Sequence, residues 1–218
     1  MKRKEVLAYL ADFDLEVQRV GDVLLEGKQH AVYHYGDDQI IKVPKRSLYM
    51  KLYGAIDYDA VLRDVTLLQT HLSEFVVPTQ VLQSRRNPDQ YVILQAYLPD
   101  AIYITGDRFP AIREDFARIV AVNRHFIEQH RLSIDFFGNI GFRRSILASL
   151  LRRREMALLN NLLLVERDGR AHIKITDVNL SELRLWWNAD VKLFHWIVDS
   201  AVFTITQLLI RDHFGIDG

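Results

Sequence analysis

Several residues stand where their chemistry is out of keeping with their surroundings. Lys42 interrupts the apolar run Ile40-Ile41-Lys42-Val43. It is either a solvent-facing lysine on an edge strand, where side chains alternate, or a cation kept for function. Asp135 stands between Ile134 and the pair Phe136-Phe137. A carboxylate in such company is partly enclosed and needs partners. It is either a turn or cap former or a catalytic group. Asp177 ends a β-prone run and precedes Val178-Asn179-Leu180, as a turn former would or as a metal ligand with hard oxygens. Asn160 and Asn161 begin the preceding β-run, and Asn139 is a second amide nearby. Asp64 lies in a helical pattern, on its polar side or in an ion pair.

Composition removes other chemistries. The 218 residues hold 28 Lys+Arg and 28 Asp+Glu, so net charge gives no general pull toward nucleic acid or acidic lipid. Without cysteine there is no disulfide, thiolate metal site or cysteine nucleophile. The closest histidine sets, His30/His34 and His125/His130, lack a third ligand, and no zinc site is expected. The start, Met1-Lys2-Arg3-Lys4, is basic, but Asp12 and Asp14 cut the apolar stretch after it. That is too short for a secretory signal. Phe194 to Ile210 carries Asp199 and reads as a buried helix, not a membrane span. A cytoplasmic protein is expected.

The elements that must position these residues follow from periodicity. The first 14 residues suggest a short helix, and Leu15 to Val43 suggests strands, with Ala31–Tyr35 and Gln39–Val43 paired across Gly36-Asp37-Asp38. Asp57 to Ser73 is helical, with Val61, Leu62, Val65, Leu68 and Leu72 on one face. Strands follow at Val76–Leu82 and Tyr91–Leu98, joined by a turn at residues 85–89. A long helix runs from Ile112 to His130, burying Phe116, Ile119, Val120, Val122, Phe126 and Ile127, and another from Phe142 to Leu159. Asn161–Glu166 and His172–Thr176 form a hairpin around Arg167-Asp168-Gly169. Helices around Ser181–Asp190 and Lys192–His213 close the chain, with Trp186, Trp187, Phe194 and Trp196 packing them together. Pro99-Asp100 is the natural boundary between two lobes, residues 1–98 and 99–218.

This order, and the residues on it, resemble the protein-kinase-like superfamily: an α+β, two-lobed fold with a β-rich N-lobe and a reduced helical C-lobe. Leu25-Glu26-Gly27-Lys28-Gln29-His30-Ala31-Val32-Tyr33 resembles a shortened glycine-rich loop, and Ile40-Ile41-Lys42-Val43 the strand-three lysine motif. The resemblance implies Mg²⁺ and ATP bound between two lobes, with Gly27 in the loop and Lys42 on the α- and β-phosphates. Asp64 would take the place of the usual glutamate partner. Leu94 would guard the adenine pocket, and the backbone of Gln95 and Tyr97 would meet the adenine edge. Asp135 would be the base, Asp177 of Asp-Val-Asn a metal ligand, and Asn161 the metal-binding asparagine, with Asn139 the other candidate. The implied activity is γ-phosphoryl transfer to a hydroxyl of a small molecule or protein; the alternative is a pseudokinase that binds nucleotide or scaffolds.

The chain departs from that pattern in three places. Only Gly27 is clear in the glycine loop, 25 residues separate Asp135 from Asn161, and about 38 residues follow Leu180. The segment between Asp135 and Asn161 reads as an inserted helix. It carries Arg143, Arg144, Arg152, Arg153 and Arg154 among Ile146, Leu147, Leu150 and Leu151. With those leucines inward, the arginines are a solvated face or a surface for an anionic partner: a phosphorylated substrate, an acidic membrane or RNA.

Overall fold

A computed structural model describes residues 3–27, 29–45, 57–182 and 193–216; at 139, 193–196 and 198–199 the description is of the backbone alone. Its architecture is α+β. Contacts divide the chain into one unit of residues 1–70 and 76–99 and a second of 71–75 and 100–218.

The first unit is built on an antiparallel sheet. Its strands are β1 (Val20–Glu26), β2 (His30–Tyr35), β3 (Gln39–Pro44), β4 (Thr79–Gln83) and β5 (Tyr91–Ala96), in the order β1-β2-β3-β5-β4. Helix α1 (Arg3–Leu10) supplies Val6 and Leu10 to a core shared with Ala31, Tyr33, Ile41, Val43, Val92 and Leu94. Alternation sends the intervening residues to the other face. There His30 accepts or donates a hydrogen bond between Nε2 and the Tyr91 hydroxyl at 3.1 Å, and Val32, Lys42 and Ile93 stand side by side in register.

Helix α2 (Tyr58–Leu72) buries Val61, Val65, Leu68 and Leu72 as its period requires. Leu62 is exposed instead. The strand expected from Val76 begins only at Thr79, because Pro78 has no N–H for a ladder. Val17, expected in a strand, lies in a 3₁₀ turn at Val17–Arg19.

The second unit has a strand the sequence reading lacked, β6 (Ile102–Thr105), and a longer helix, α3 (Phe109–His130). After them come β7 (Leu132–Ser133), α4 (Gly138–Leu150), β8 (Leu158–Arg167), β9 (Arg170–Ile175), β10 (Ser181–Glu182) and α5 (Leu193–Phe214). β6, β8 and β9 form one antiparallel sheet, and β7 pairs with β10. Asp168 and Gly169 both take positive φ in the β8–β9 turn, as an Asp-Gly hairpin turn requires. The expected aromatic set, Trp186, Trp187, Phe194 and Trp196, lies outside the described residues and side chains. Phe214 stacks on Phe109 at 4.2 Å and on Phe116 at 4.0 Å, and Phe116 meets Phe136 edge to face. The helix expected from Ser181 is corrected at its start, since Ser181–Glu182 is a strand.

Helix α4 corrects a larger expectation. It starts at Gly138 and stops at Leu150, so Leu158 and Leu159 belong to β8 and Arg152, Arg153 and Arg154 follow the helix. Arg152 takes a left-handed φ of 56°; its N–H reaches Ser149 O and that of Arg153 reaches Ala148 O, a Schellman-type stop. Nor do the leucines pack inward. The buried positions are Gly138, Gly141, Ser145 and Ala148, and Leu147, Leu150 and Leu151 are exposed. Gly141 explains this: a Cβ there would lie 2.4 Å from the Leu158 carbonyl oxygen, so the helix rides directly on β8 backbone.

Two outcomes follow. Gly141→Ala should cost about 1–3 kcal/mol in denaturant unfolding, because overlap with fixed backbone outweighs the roughly 1 kcal/mol of helix propensity gained. His30 is held down to about 3, first by burial and then by the Lys42 charge, from an ordinary 6.5. Its neutral form therefore contributes stability that is fully present above 6.5 and is lost progressively as pH falls toward 3. His30→Gln should flatten stability against pH over that window.

Candidate functional site

The acidic cluster grows from the end of α3. Arg131 caps that helix in the left-handed region, and the chain turns into β7. Asn123, a buried amide on the apolar stripe of α3, accepts the Ile134 N–H at 2.7 Å. Ile134, Phe136 and Phe137 are buried, and they leave Asp135 alone at the surface. The loop then lies along β8: the Asn161 and Asn160 N–H groups donate to the Phe136 and Phe137 carbonyls at 3.4 and 3.3 Å.

That pairing brings the candidates together. Asn161 donates its Nδ2 to the Asp135 carbonyl at 2.8 Å. The Gly138 N–H donates to Asp135 Oδ1 at 2.8 Å. Gly138 has φ +57°, and a Cβ there would come within 2.8 Å of Asn161 Oδ1, so both conformation and space demand glycine. Across the hairpin, Leu162 faces Ile175, and the Thr176 N–H and hydroxyl both donate to the Asn161 carbonyl. Asp177 follows directly, its Oδ1 accepting the Asn179 N–H at 3.2 Å.

Asp135 keeps exposed surface, yet the protein around its carboxylate takes away part of its water and raises its pKa, and the Asp177 charge raises it further. The Gly138 N–H and the Asn161 amide oppose that rise by favouring the ionised form. Asn139 lies on the first turn of α4, its side chain outside the described ones. Among the described residues no three His, Cys, Asp or Glu gather as a metal cluster. Asp177 and Asn161 fit Mg²⁺ nonetheless, since that ion uses one or two carboxylates and completes its shell with water and phosphate oxygens.

In the first unit, Lys42 is on β3, a central strand, which removes the edge-lysine reading. Asp64 faces inward beside Val61, Val65 and Leu68, only 3% exposed, and not toward the polar side. Its Oδ1 accepts both Nε and Nη2 of Arg63, at 2.9 and 2.7 Å. Gly27 sits in the short β1–β2 connection, where its carbonyl accepts from Lys45 Nζ at 3.3 Å.

The expected adenine residues need correction. Leu94 points into the α1 core with Ile41, on the face opposite Lys42. The side chains on the Lys42 face are Ile93 and Gln95, and a one-residue slip along a strand always exchanges faces. Gln95 is paired with Ile40 and bonds Thr79 Oγ1 through Nε2, while the Tyr97 N–H donates to the Asp38 carbonyl at 2.7 Å. Neither backbone N–H is open. Ala96 donates to the Pro78 carbonyl, and Pro78 has no N–H to return to the Ala96 carbonyl.

Asn123, Gly138 and Ala96 were missed from sequence. Only Asn123 left a signal, as a polar residue at an apolar-periodic position. A shallow concavity of about 640 Å³ between α4 and α5 is lined by Ile146, Leu150, Arg154 and Leu208, and by none of the acidic cluster.

Neither a family model nor a curated protein matches the chain. The chain is similar to several solved structures. One is the Legionella pneumophila Lpg2603 kinase bound to IP6, with 15% identity over 88% of this chain and a TM-score of 0.46. The chain spans 62% of the length of that protein. Another is a choline/ethanolamine kinase family protein from Mesorhizobium loti, with 16% identity over 100% of this chain and 78% of that one and a TM-score of 0.41.

Asp177→Asn removes one of the two influences that hold the Asp135 carboxyl up. Carboxyl-detected NMR should then find Asp135 titrating at lower pH than in the wild type; an unchanged titration would mean the two groups do not sense each other.

Proposed function

We propose that the chain is a cytoplasmic phosphotransferase that binds Mg·ATP and transfers the γ-phosphoryl group to a hydroxyl of a small molecule or protein. The observation that carries this reading is the gathering of Asp135, Asn161 and Asp177 at the β8–β9 end, with the Asn161 amide tied to Asp135. Mg²⁺, when bound, neutralises phosphate charge. Asp177 and the Oδ1 of Asn161 are the ligands this chain offers.

Asp135 takes the acceptor proton. Gly138 occupies its Oδ1, which leaves Oδ2 for the acceptor hydroxyl. Raised basicity suits that task, because a carboxylate with an ordinary pKa is a weak base. The acceptor O–H bond breaks as its oxygen bonds phosphorus, and ADP leaves. Lys42 supplies the cation for the α- and β-phosphates, with Asp64 as the acidic residue of that pair and Gly27 in the loop over the phosphates. For adenine, the pattern of used backbone groups favours the Ala96 carbonyl and the Leu98 N–H, one residue on from Gln95 and Tyr97.

A second reading, a pseudokinase that binds nucleotide without turnover, draws on the β1–β2 connection. β1 ends at Glu26 and β2 begins at His30, so the loop has little backbone to wrap a triphosphate.

Thermal shift and turnover distinguish the two. Mg·ATP should raise the melting temperature, and Lys42→Ala should weaken binding roughly tenfold or more. Asp135→Asn should leave nucleotide affinity nearly intact and cut transfer by about 10²–10⁴. Binding without turnover of any acceptor supports the pseudokinase, and no binding at millimolar nucleotide ends both readings.

A further inference from the structure

The outer face of α4 combines two features that a solvated helix does not need. Its inward residues are small, so its large apolar side chains have no core to enter. Leu150 is 76% exposed, Ile140 61%, Leu151 54% and Leu147 44%. At 100° per residue, Ile140, Arg143, Arg144, Leu147, Leu150 and Leu151 fall within an arc of about 120°. The buried Gly141, Ser145 and Ala148 lie outside that arc.

The charge on this segment has one sign. From Phe136 to Arg154 there are five arginines and no aspartate or glutamate. Arg144 bonds the Met156 carbonyl and Arg154 that of Asp212. Arg143, Arg152 and Arg153 have no such tie among the described residues and are exposed. Acids adjoin the segment at Asp135, whose carboxylate accepts the Gly138 N–H, at Glu155, and at Asp212, whose carboxylate already accepts the Ser149 hydroxyl.

We propose that the outer face of α4 docks this protein on an anionic lipid bilayer, lying in the interface plane. Leucines exposed on the helix face enter the boundary between headgroups and acyl chains. Arginines interleaved with them keep their stems beside the leucines and raise their guanidinium groups to the phosphates. No described helix is long and apolar enough to cross a membrane. An RNA surface would use the arginines and leave the leucines in water. A partner protein would need a groove to receive this face and acids to meet the arginines. The inference stands apart from the phosphotransfer reading and is tested without nucleotide.

The test is flotation of the full chain with vesicles of phosphatidylcholine alone and of an equal mixture with phosphatidylserine, at low and high salt. The wild type should float with the mixed vesicles at low salt, less at high salt, and not with phosphatidylcholine. Arg143→Gln/Arg152→Gln/Arg153→Gln and Ile140→Ser/Leu147→Ser/Leu150→Ser should each reduce partitioning by more than about tenfold. Melting curves verify that each variant is folded; Leu150→Ser alone, at the most exposed position, replaces the triple change if that one is not, and should reduce partitioning severalfold. Wild-type protein that stays in solution with mixed vesicles overturns the proposal. So does a folded serine variant that floats like the wild type, since charge alone would then explain binding, as for RNA or an acidic protein.

Discussion

The pairing of residues 136–137 with the start of β8 is the constraint on which the second unit depends. Two backbone hydrogen bonds, from Asn160 and Asn161 to the Phe137 and Phe136 carbonyls, fasten the loop to the sheet. Everything near the acidic cluster follows from that closeness. Phe136 must be buried on Phe116 for the loop to lie flat. Gly138 must be glycine, because its Cβ would strike Asn161, and Gly141 must be small, because α4 rises over Leu158. The loop–strand contact also decides the outer surface. A helix pressed this close to a strand can bury only small residues, so its leucines are turned to solvent.

The same constraint sets the electrostatics. Asp135 and Asp177 come from segments distant in sequence, and the hairpin brings their charges within reach of each other. Two like charges with one partly desolvated oppose folding when both are ionised. The compensating donors, the Gly138 N–H and the Asn161 amide, are supplied by the loop and strand whose pairing created the problem. Such a cost is common where chemistry is done.

In the first unit the organising rule is alternation. One face of β2, β3 and β5 fills the core with α1, and the other aligns His30, Val32, Lys42, Tyr91 and Ile93. Lys42 therefore lies in a nearly closed row and not at an edge, and its charge adds to the burial that keeps His30 neutral. Pro78 acts on the same sheet from outside, delaying β4 and leaving the Ala96 carbonyl without its ladder donor.

By itself the sequence determined the strands and helices wherever a period ran uninterrupted. The hairpin at Gly36, the Asp-Gly turn at 168–169 and the buried face of α2 were legible because side-chain spacing or turn chemistry is local. Lys42, Asp135, Asn161 and Asp177 were legible as candidates because polar groups stood in apolar runs. Tertiary structure alone decided which residues share a face or a loop. Leu94 falls on the side away from Lys42 because strand register is a pairing property. Asp64 turns inward, although the sequence left it open between the polar side of its helix and an ion pair. The leucines of α4 face out because the distance from a helix to a strand is set by the smallest residues between them, and no periodicity within the helix records that distance.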